Sequence, residues 1–275
     1  MSRPYAEVIG DPIAHSKSPL IHNFWLEKLG IDAEYRSCHV RPEELADYFT
    51  RRREDAEWRG CNVTIPHKER VVRLTDTIDP GVAGFGAVNT VYRRDGRLEA
   101  TDTDIDGIAE ALAGLDLRGR HAVVFGAGGA ARAAFAFLAK CELASACVLA
   151  RNQVLALQAT AACGLKAVVR TGAGSHALES ASLFINATPQ GMAGQEPMRG
   201  FVLTELAEMA KEAIVFDMVY VPFDTPLLKQ ARMLGLRTSD GLAMLIGQAA
   251  RAFQLFFGVP APREHDTELR KLLTS

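Results

Sequence analysis

Residues 121–132 constrain this chain more than any other stretch. A short apolar run, Ala122, Val123, Val124 and Phe125, passes directly into Gly126, Ala127, Gly128, Gly129, Ala130 and Ala131. The pattern predicts a buried parallel strand that turns sharply into a helix. Gly126 permits the turn, Gly128 lets a phosphate approach the backbone, and Ala131 is small enough for helix and strand to pack closely. Unpaired N–H groups and the positive end of the helix dipole then face an anion, as a dinucleotide pyrophosphate requires. Similar turns also bind flavins or S-adenosylmethionine, or hold no ligand, so the rest of the chain must decide.

At 275 residues the chain can form one large or two modest domains with buried cores. A formal net charge of −2 points to neither nucleic acid nor an anionic membrane surface. Residues 1–5 lead at once into a strand-like stretch, so no signal peptide is expected. The most apolar segment, 242–257, is broken by Gly247, Gln248, Arg251 and Gln254 and does not read as a membrane span. Cys38, Cys61, Cys141, Cys147 and Cys163 include no Cys-x-x-Cys pair, and the seven histidines show no ligand spacing. A metal-free cytoplasmic protein is the expectation.

Strands are predicted at 5–9 and 33–40, and helices at 20–29 and 42–53, with Ser18 as N-cap before Pro19. The basic end of the second helix, Arg51 to Arg53, reads as a solvated terminus. Asn62 and Thr64, two apart on a strand, share a face. Pro66 is expected to open a helix over 68–74, and Asp95-Gly96 to turn a hairpin between 87–93 and 97–101. From residue 117 the grammar becomes alternating buried strands and helices, which implies a parallel sheet. Long helices are expected over 240–257, capped by Asp240, and over 264–273.

Several polar residues stand out. Ser16 and Ser18 suit capping, and equally a carboxylate held at a helix start. Lys68 in the first turn of a helix would face the positive dipole end, which makes its proton easier to lose and suits proton transfer. Asp104 at a helix start is ordinary capping unless it meets Lys68. Asn62, Thr64 and Asn89 lie at or near strand ends, where open α/β folds bind substrates. Gly241, Met244, Leu245 and Gln248 form one helical stripe, in which Gln248 reads as a core amide. His15, His22 and His67 read as structural or surface residues. About 20 residues past the glycines, NAD binders place an acid for the ribose 2′-hydroxyl. Here Arg151 and Asn152 stand instead, and a guanidinium suits the 2′-phosphate of NADP.

Together these segments resemble the shikimate/quinate dehydrogenases. The resemblance runs through 9–23 with its His-Ser-Lys-Ser-Pro, then 62–68, 86–90, 103–107, 126–132, 186–192, 217–220 and 240–248. It implies NADPH-dependent reduction of 3-dehydroshikimate to shikimate in aromatic amino-acid biosynthesis. Lys68 and Asp104 would be the catalytic pair. Ser16, Ser18 and Tyr220 would lie at the substrate carboxylate, and Asn62, Thr64, Asn89, Asp104 and Gln248 at the ring hydroxyls. Gly126 to Ala131 would hold the pyrophosphate, Arg151 the 2′-phosphate, and Thr188, Met218 and Gly241 the nicotinamide. Two departures bear on specificity. Leu155 replaces a second arginine, which leaves NAD use open, and Asp102 stands where the family commonly has Asn. The implied α/β architecture is a substrate domain of 1–106 completed by 241–275, and a Rossmann-like NADP domain of 107–240. A small-molecule substrate, a monomer or homodimer, and no nucleic acid, membrane or metal complete the expectation. The rivals are an NAD-using quinate or related cyclitol-acid dehydrogenase and a non-catalytic ligand-binding relative.

Overall fold

The computed structural model describes residues 3–274. The chain folds as two compact units, Met1–Thr103 with Gln248–Ser275, and Asp104–Gly247.

The first unit contains β1 (Tyr5–Gly10), α1 (Ser18–Leu29), β2 (Glu34–His39), α2 (Leu45–Glu54), β3 (Trp58–Val63), β4 (Thr77–Ile78), β5 (Thr90–Arg94) and β6 (Arg97–Thr101). They form one six-stranded sheet in the order β2-β1-β3-β5-β6-β4. The β1 pairs are parallel, whereas β3–β5 and β5–β6 are antiparallel. Asp95 (φ 50°) and Gly96 (φ 76°) both sit in the left-handed region, as a two-residue hairpin turn requires. One face of the sheet packs an aromatic cluster: His22 and Trp25 of α1 and Tyr35 of β2 meet Phe253 and Phe256. Such ring pairs add about 0.5–1.5 kcal/mol each beyond the area they bury.

The second unit runs α3 (Asp104–Ala111), β7 (His121–Phe125), α4 (Gly129–Leu138), β8 (Ser145–Leu149), α5 (Gln153–Ala162), β9 (Val168–Arg170), β10 (Leu183–Asn186), α6 (Gly200–Glu205), β11 (Ile214–Asp217), α7 (Pro226–Met233) and β12 (Arg237–Asp240). The helix α8 (Gly241–Phe257) starts here and continues into the first unit, which α9 (Asp266–Thr274) ends. All six strands are parallel, in the order β12-β11-β10-β7-β8-β9. This is a doubly wound Rossmann-like sheet whose strand order reverses between β7 and β10. The apolar run of β7 is buried from Ala122 to Phe125, as a central parallel strand demands. Asp240 caps α8 by accepting from the N–H groups of Leu242 and Ala243.

Local structure differs from the sequence reading at several points. Residues 68–74 do not form an α-helix; turns lead into a 3₁₀ turn at Val71–Arg73. The Lys68 carbonyl accepts from Val88 N–H at 3.0 Å, so it is engaged outside any i→i+4 ladder. Without an α-helix at 68–74, Lys68 does not face the positive end of a helix dipole. The basic end of α2 is not simply solvated: Arg52 donates to both oxygens of Glu7, a residue 1% exposed, and Arg53 pairs with Asp76. Finally, β12 is a strand that hydropathy does not reveal. Its sequence, Arg-Thr-Ser-Asp, is polar because it forms the sheet edge and pairs with β11 through backbone.

Among the described residues no helix is long and apolar enough to cross a membrane. No group of three or more His, Cys, Asp and Glu there could hold a metal ion.

Candidate active site

In the second unit the candidate cofactor residues gather where the strand order reverses. Gly126, just past β7, has φ +114°, and a Cβ there would lie 2.9 Å from Thr188 Cγ2 and 3.1 Å from the Ala187 carbonyl. Only glycine satisfies both the backbone angle and this approach. Gly128 precedes α4 in an extended conformation, and a Cβ on it would meet nothing within 4 Å. Gly129 and Ala130 begin the helix, and Ala131, its third residue, is fully buried. A cavity of about 550 Å³ opens here, lined by Gly126, Ala127, Gly128, Arg151, Thr188 and Arg199 among others.

Arg151 is exposed just beyond β8, and Asn152 caps α5 by accepting from Leu155 N–H. Leu155 also lines the cavity and is 56% exposed, so the rim beside Arg151 is apolar at that position. Arg199, from the segment between β10 and α6, brings another guanidinium to the lining. No spacing in the sequence singles it out.

Thr188 is held by the buried Asn186, whose Oδ1 accepts from the Thr188 N–H and hydroxyl at 3.1 and 2.7 Å. Asn186 Nδ2 donates in turn to Asp217 at 2.8 Å. Asp217 also accepts from Val219 N–H and the Thr225 hydroxyl, and burial raises its carboxyl above the usual range. This polar clip ties the ends of β10 and β11 and fixes the segment carrying Met218 and Tyr220. Gly241 lies against the carbonyls of Met218 and Val219. Tyr220 is half-buried, and its hydroxyl is pushed upward by desolvation. Asp104 is buried in the first turn of α3.

In the first unit the antiparallel pairing of β3 with β5 sets Asn62 opposite Thr90. Asn62 Nδ2 donates to Thr90 Oγ1 at 2.9 Å, and the Thr90 hydroxyl donates to Asn89 Oδ1 at 2.8 Å. Thr103 N–H donates to the same Asn89 oxygen at 2.7 Å. The Thr103 hydroxyl lies 3.4 Å from Gln248 Oε1. Three predicted site residues, Asn62, Asn89 and Gln248, are thus joined through Thr90 and Thr103, both fully buried. A satisfied buried network of this kind holds its members in one arrangement.

Thr64 directly follows β3 and continues its ladder, donating from N–H to the Ile9 carbonyl at 3.0 Å. Ser18 is not the N-cap of α1 but its first residue. The cap position is Lys17, with helical dihedrals and no side-chain bond, and Ser16 Oγ accepts from Ser18 N–H at 3.3 Å. Ser16 and Ser18 nonetheless share this helix start. Lys68 is half-buried beside His67, whose ring Nε2 donates to the Val40 carbonyl at 2.7 Å. The roles of Thr90, Thr103, Asn186 and Asp217 escaped the sequence, although Asn186 and Asp217 stand out in it as polar residues that end apolar strands.

A profile of the shikimate dehydrogenase substrate binding domain matches residues 8–91, and one of the shikimate 5′-dehydrogenase C-terminal domain matches residues 241–268. The chain is 50% identical over 276 residues to the shikimate dehydrogenase (NADP(+)) of Sphingopyxis alaskensis, covering 99% of this chain and 97% of that protein. Among solved structures, shikimate 5-dehydrogenase of Thermus thermophilus in complex with NADP(H) and shikimate is 34% identical with a TM-score of 0.86. That similarity covers 98% of this chain and 99% of that one. The Listeria monocytogenes enzyme in complex with shikimate and NAD is 31% identical with a TM-score of 0.88, covering 98% and 96%.

Proposed function

We propose that this chain, which belongs to the shikimate dehydrogenase family, catalyses the reversible NADPH-dependent reduction of 3-dehydroshikimate to shikimate. Full-length identity of 50% with a relative named for that activity carries the reading. The two polar assemblies described above fit it. The first unit supplies substrate groups and the second a dinucleotide cavity, with functional boundaries near residues 106 and 241.

The cofactor fits this chain because the strained Gly126 turn, the open space before Gly128 and the start of α4 make an anion cradle. Gly126 to Ala131 hold the pyrophosphate, Arg151 the 2′-phosphate, and Thr188, Met218 and Gly241 the nicotinamide. When bound, the nicotinamide supplies the hydride that the ketone carbon receives. Lys68 supplies the proton at the carbonyl oxygen, and Asp104 completes the acid–base pair. Ser16 and Ser18 hold the substrate carboxylate, with Tyr220 beside it. Asn62, Thr64, Asn89, Asp104 and Gln248 position the ring hydroxyls.

Leu155 in place of a second arginine favours a relaxed cofactor choice, with NADP preferred and NAD used more slowly. The protein is expected in the cytoplasm, as a monomer or homodimer with no nucleic-acid or membrane partner. A spectrophotometric panel of shikimate and quinate, each with NADP and NAD at alkaline pH, tests the assignment. Shikimate with NADP should give the highest kcat/KM. Faster turnover of quinate with NAD would move the chain to that neighbouring activity, and no nicotinamide reduction with any pair would make it a non-catalytic relative.

A further inference from the structure

We infer that Tyr35 is a positioning residue: its hydroxyl sets which way round the Asn62 amide faces, and with it the direction of the hydrogen-bond chain to Asn89. The inference rests on the proposed function, in which these amides meet the substrate.

The two ends of an amide have nearly the same shape but opposite hydrogen-bonding character, so its orientation decides whether a site offers a donor or an acceptor. For Asn62 the stronger instruction comes at its oxygen end, because the acceptor-only group at its nitrogen, the Asn89 carbonyl, lies at 3.5 Å. Tyr35 Oη lies 2.6 Å from Asn62 Oδ1, and both residues are buried. With Oδ1 occupied by the phenol proton, Nδ2 must face Thr90, whose oxygen accepts and whose own proton is left for Asn89 Oδ1. Asn89 Oδ1 is fixed independently by Thr103 N–H, a group that can only donate. The chain therefore runs one way, from Tyr35 through Asn62 and Thr90 to Asn89. Turning the Asn62 amide over would leave the Tyr35 proton facing another donor, the Asn62 NH₂ group. Leaving such a buried proton unpaired disfavours the turned form by about five- to a hundredfold.

Tyr35 is itself held from three directions. Asn23 of α1 donates to its carbonyl at 2.7 Å and accepts from its N–H at 2.9 Å. His22, one residue earlier, stacks on its ring at 3.9 Å with an interplanar angle of 5°. Burial pushes His22 down to about 3, so the stacked ring stays neutral. Burial also raises the Tyr35 hydroxyl well above its ordinary range, so it keeps the proton it donates. The helix that begins at Ser18 thus also braces Tyr35, linking the serine end of the half-site to its amide end. The consequence is chemical. With the Asn89 oxygen taken by Thr90 and Thr103, its amide nitrogen is the end turned away from both.

A double-mutant cycle tests this, because the Tyr35 hydroxyl should matter only while Asn62 is present to receive it. Wild type, Tyr35→Phe, Asn62→Ala and the double variant are compared with shikimate and NADP. Tyr35→Phe should raise the KM for shikimate about three- to tenfold, the range of one hydrogen bond, and leave the KM for NADP within about twofold. In the Asn62→Ala background the same change should add less than about twofold. Independent, multiplicative effects would overturn the inference, as would a matching rise in the KM for NADP. Should Tyr35→Phe not fold, Thr90→Val in the same cycle removes the next link and must show the same split. Wild type inert toward shikimate would overturn the proposed function and this inference with it. An active wild type with an additive cycle would overturn the inference alone.

Discussion

Gly241 and Gly128 make a paired prediction that separates steric fit from cofactor approach. A Cβ at position 241 would lie 2.4 Å from the Met218 carbonyl oxygen and 2.7 Å from both Met218 C and the Val219 oxygen. Ordinary contacts to carbon begin near about 3.5 Å, so the deficit is roughly 1 Å. The offending atoms are backbone and cannot rotate aside. They are also tied down, Met218 N–H to the Asn186 carbonyl and Val219 N–H to Asp217, both at 3.1 Å. Overpacking of this kind costs about 1–3 kcal/mol, and the rigid neighbours argue for the upper half. At roughly 2–4 °C per kcal/mol, Gly241→Ala should lower Tm by roughly 4–12 °C in a calorimetric scan. The displaced Met218 segment should also raise the KM for NADP. Gly128→Ala is the counterpart, since its Cβ would meet nothing within 4 Å and the residue has an ordinary φ of −81°. It should keep the wild-type Tm while raising the KM for NADP about tenfold, because the methyl occupies the space a pyrophosphate needs. Wild-type stability for Gly241→Ala would refute the packing argument. Unchanged NADP kinetics for Gly128→Ala would refute the cradle.

Three further outcomes are expected. Lys68→Ala should lower kcat by about 10²–10⁴ with a smaller effect on the KM for shikimate, as loss of an acid–base group does; near wild-type turnover would remove Lys68 from that role. Arg151→Ala should raise the KM for NADP about tenfold and leave that for NAD within about twofold, and equal effects on both would contradict the phosphate assignment. His22, held neutral down to about pH 3 in the fold, binds a proton below its ordinary value of 6.5 only when the chain unfolds. Stability should therefore fall as pH drops from 6.5 toward 3. Relative to His22→Phe, the wild type should lose about 2 kcal/mol between pH 7 and pH 5 in urea titrations, and parallel curves would show that His22 carries no such linkage.

The glycine turn, the parallel sheet and the Asp95-Gly96 hairpin were legible because each depends on local sequence: an apolar run, a small-residue turn and two residues that tolerate positive φ. What escaped depends on partners distant in the chain. Residues 68–74 read as a helix until Val88, some 20 residues on, engages the Lys68 carbonyl. β12 has no apolar alternation, since an edge strand pairs through its backbone. Arg52 reads as a surface cation, yet Glu7 lies 45 residues earlier. The site divides in the same way. Ser16, Ser18 and the glycines stand out by type and spacing, and Lys68 only through a helix start that does not form. Tyr35, Thr90 and Thr103 look like ordinary residues in or beside strands, and their importance arises only when β3 pairs with β5 and Gln248 returns to the first unit.

The most direct test supplies wild-type protein with 3-dehydroshikimate and NADPH and follows loss of nicotinamide absorbance alongside chromatographic detection of shikimate. Rapid oxidation of NADPH is expected, with one shikimate formed for each NADPH consumed. Stable absorbance, or NADPH loss without shikimate, would contradict the proposed function.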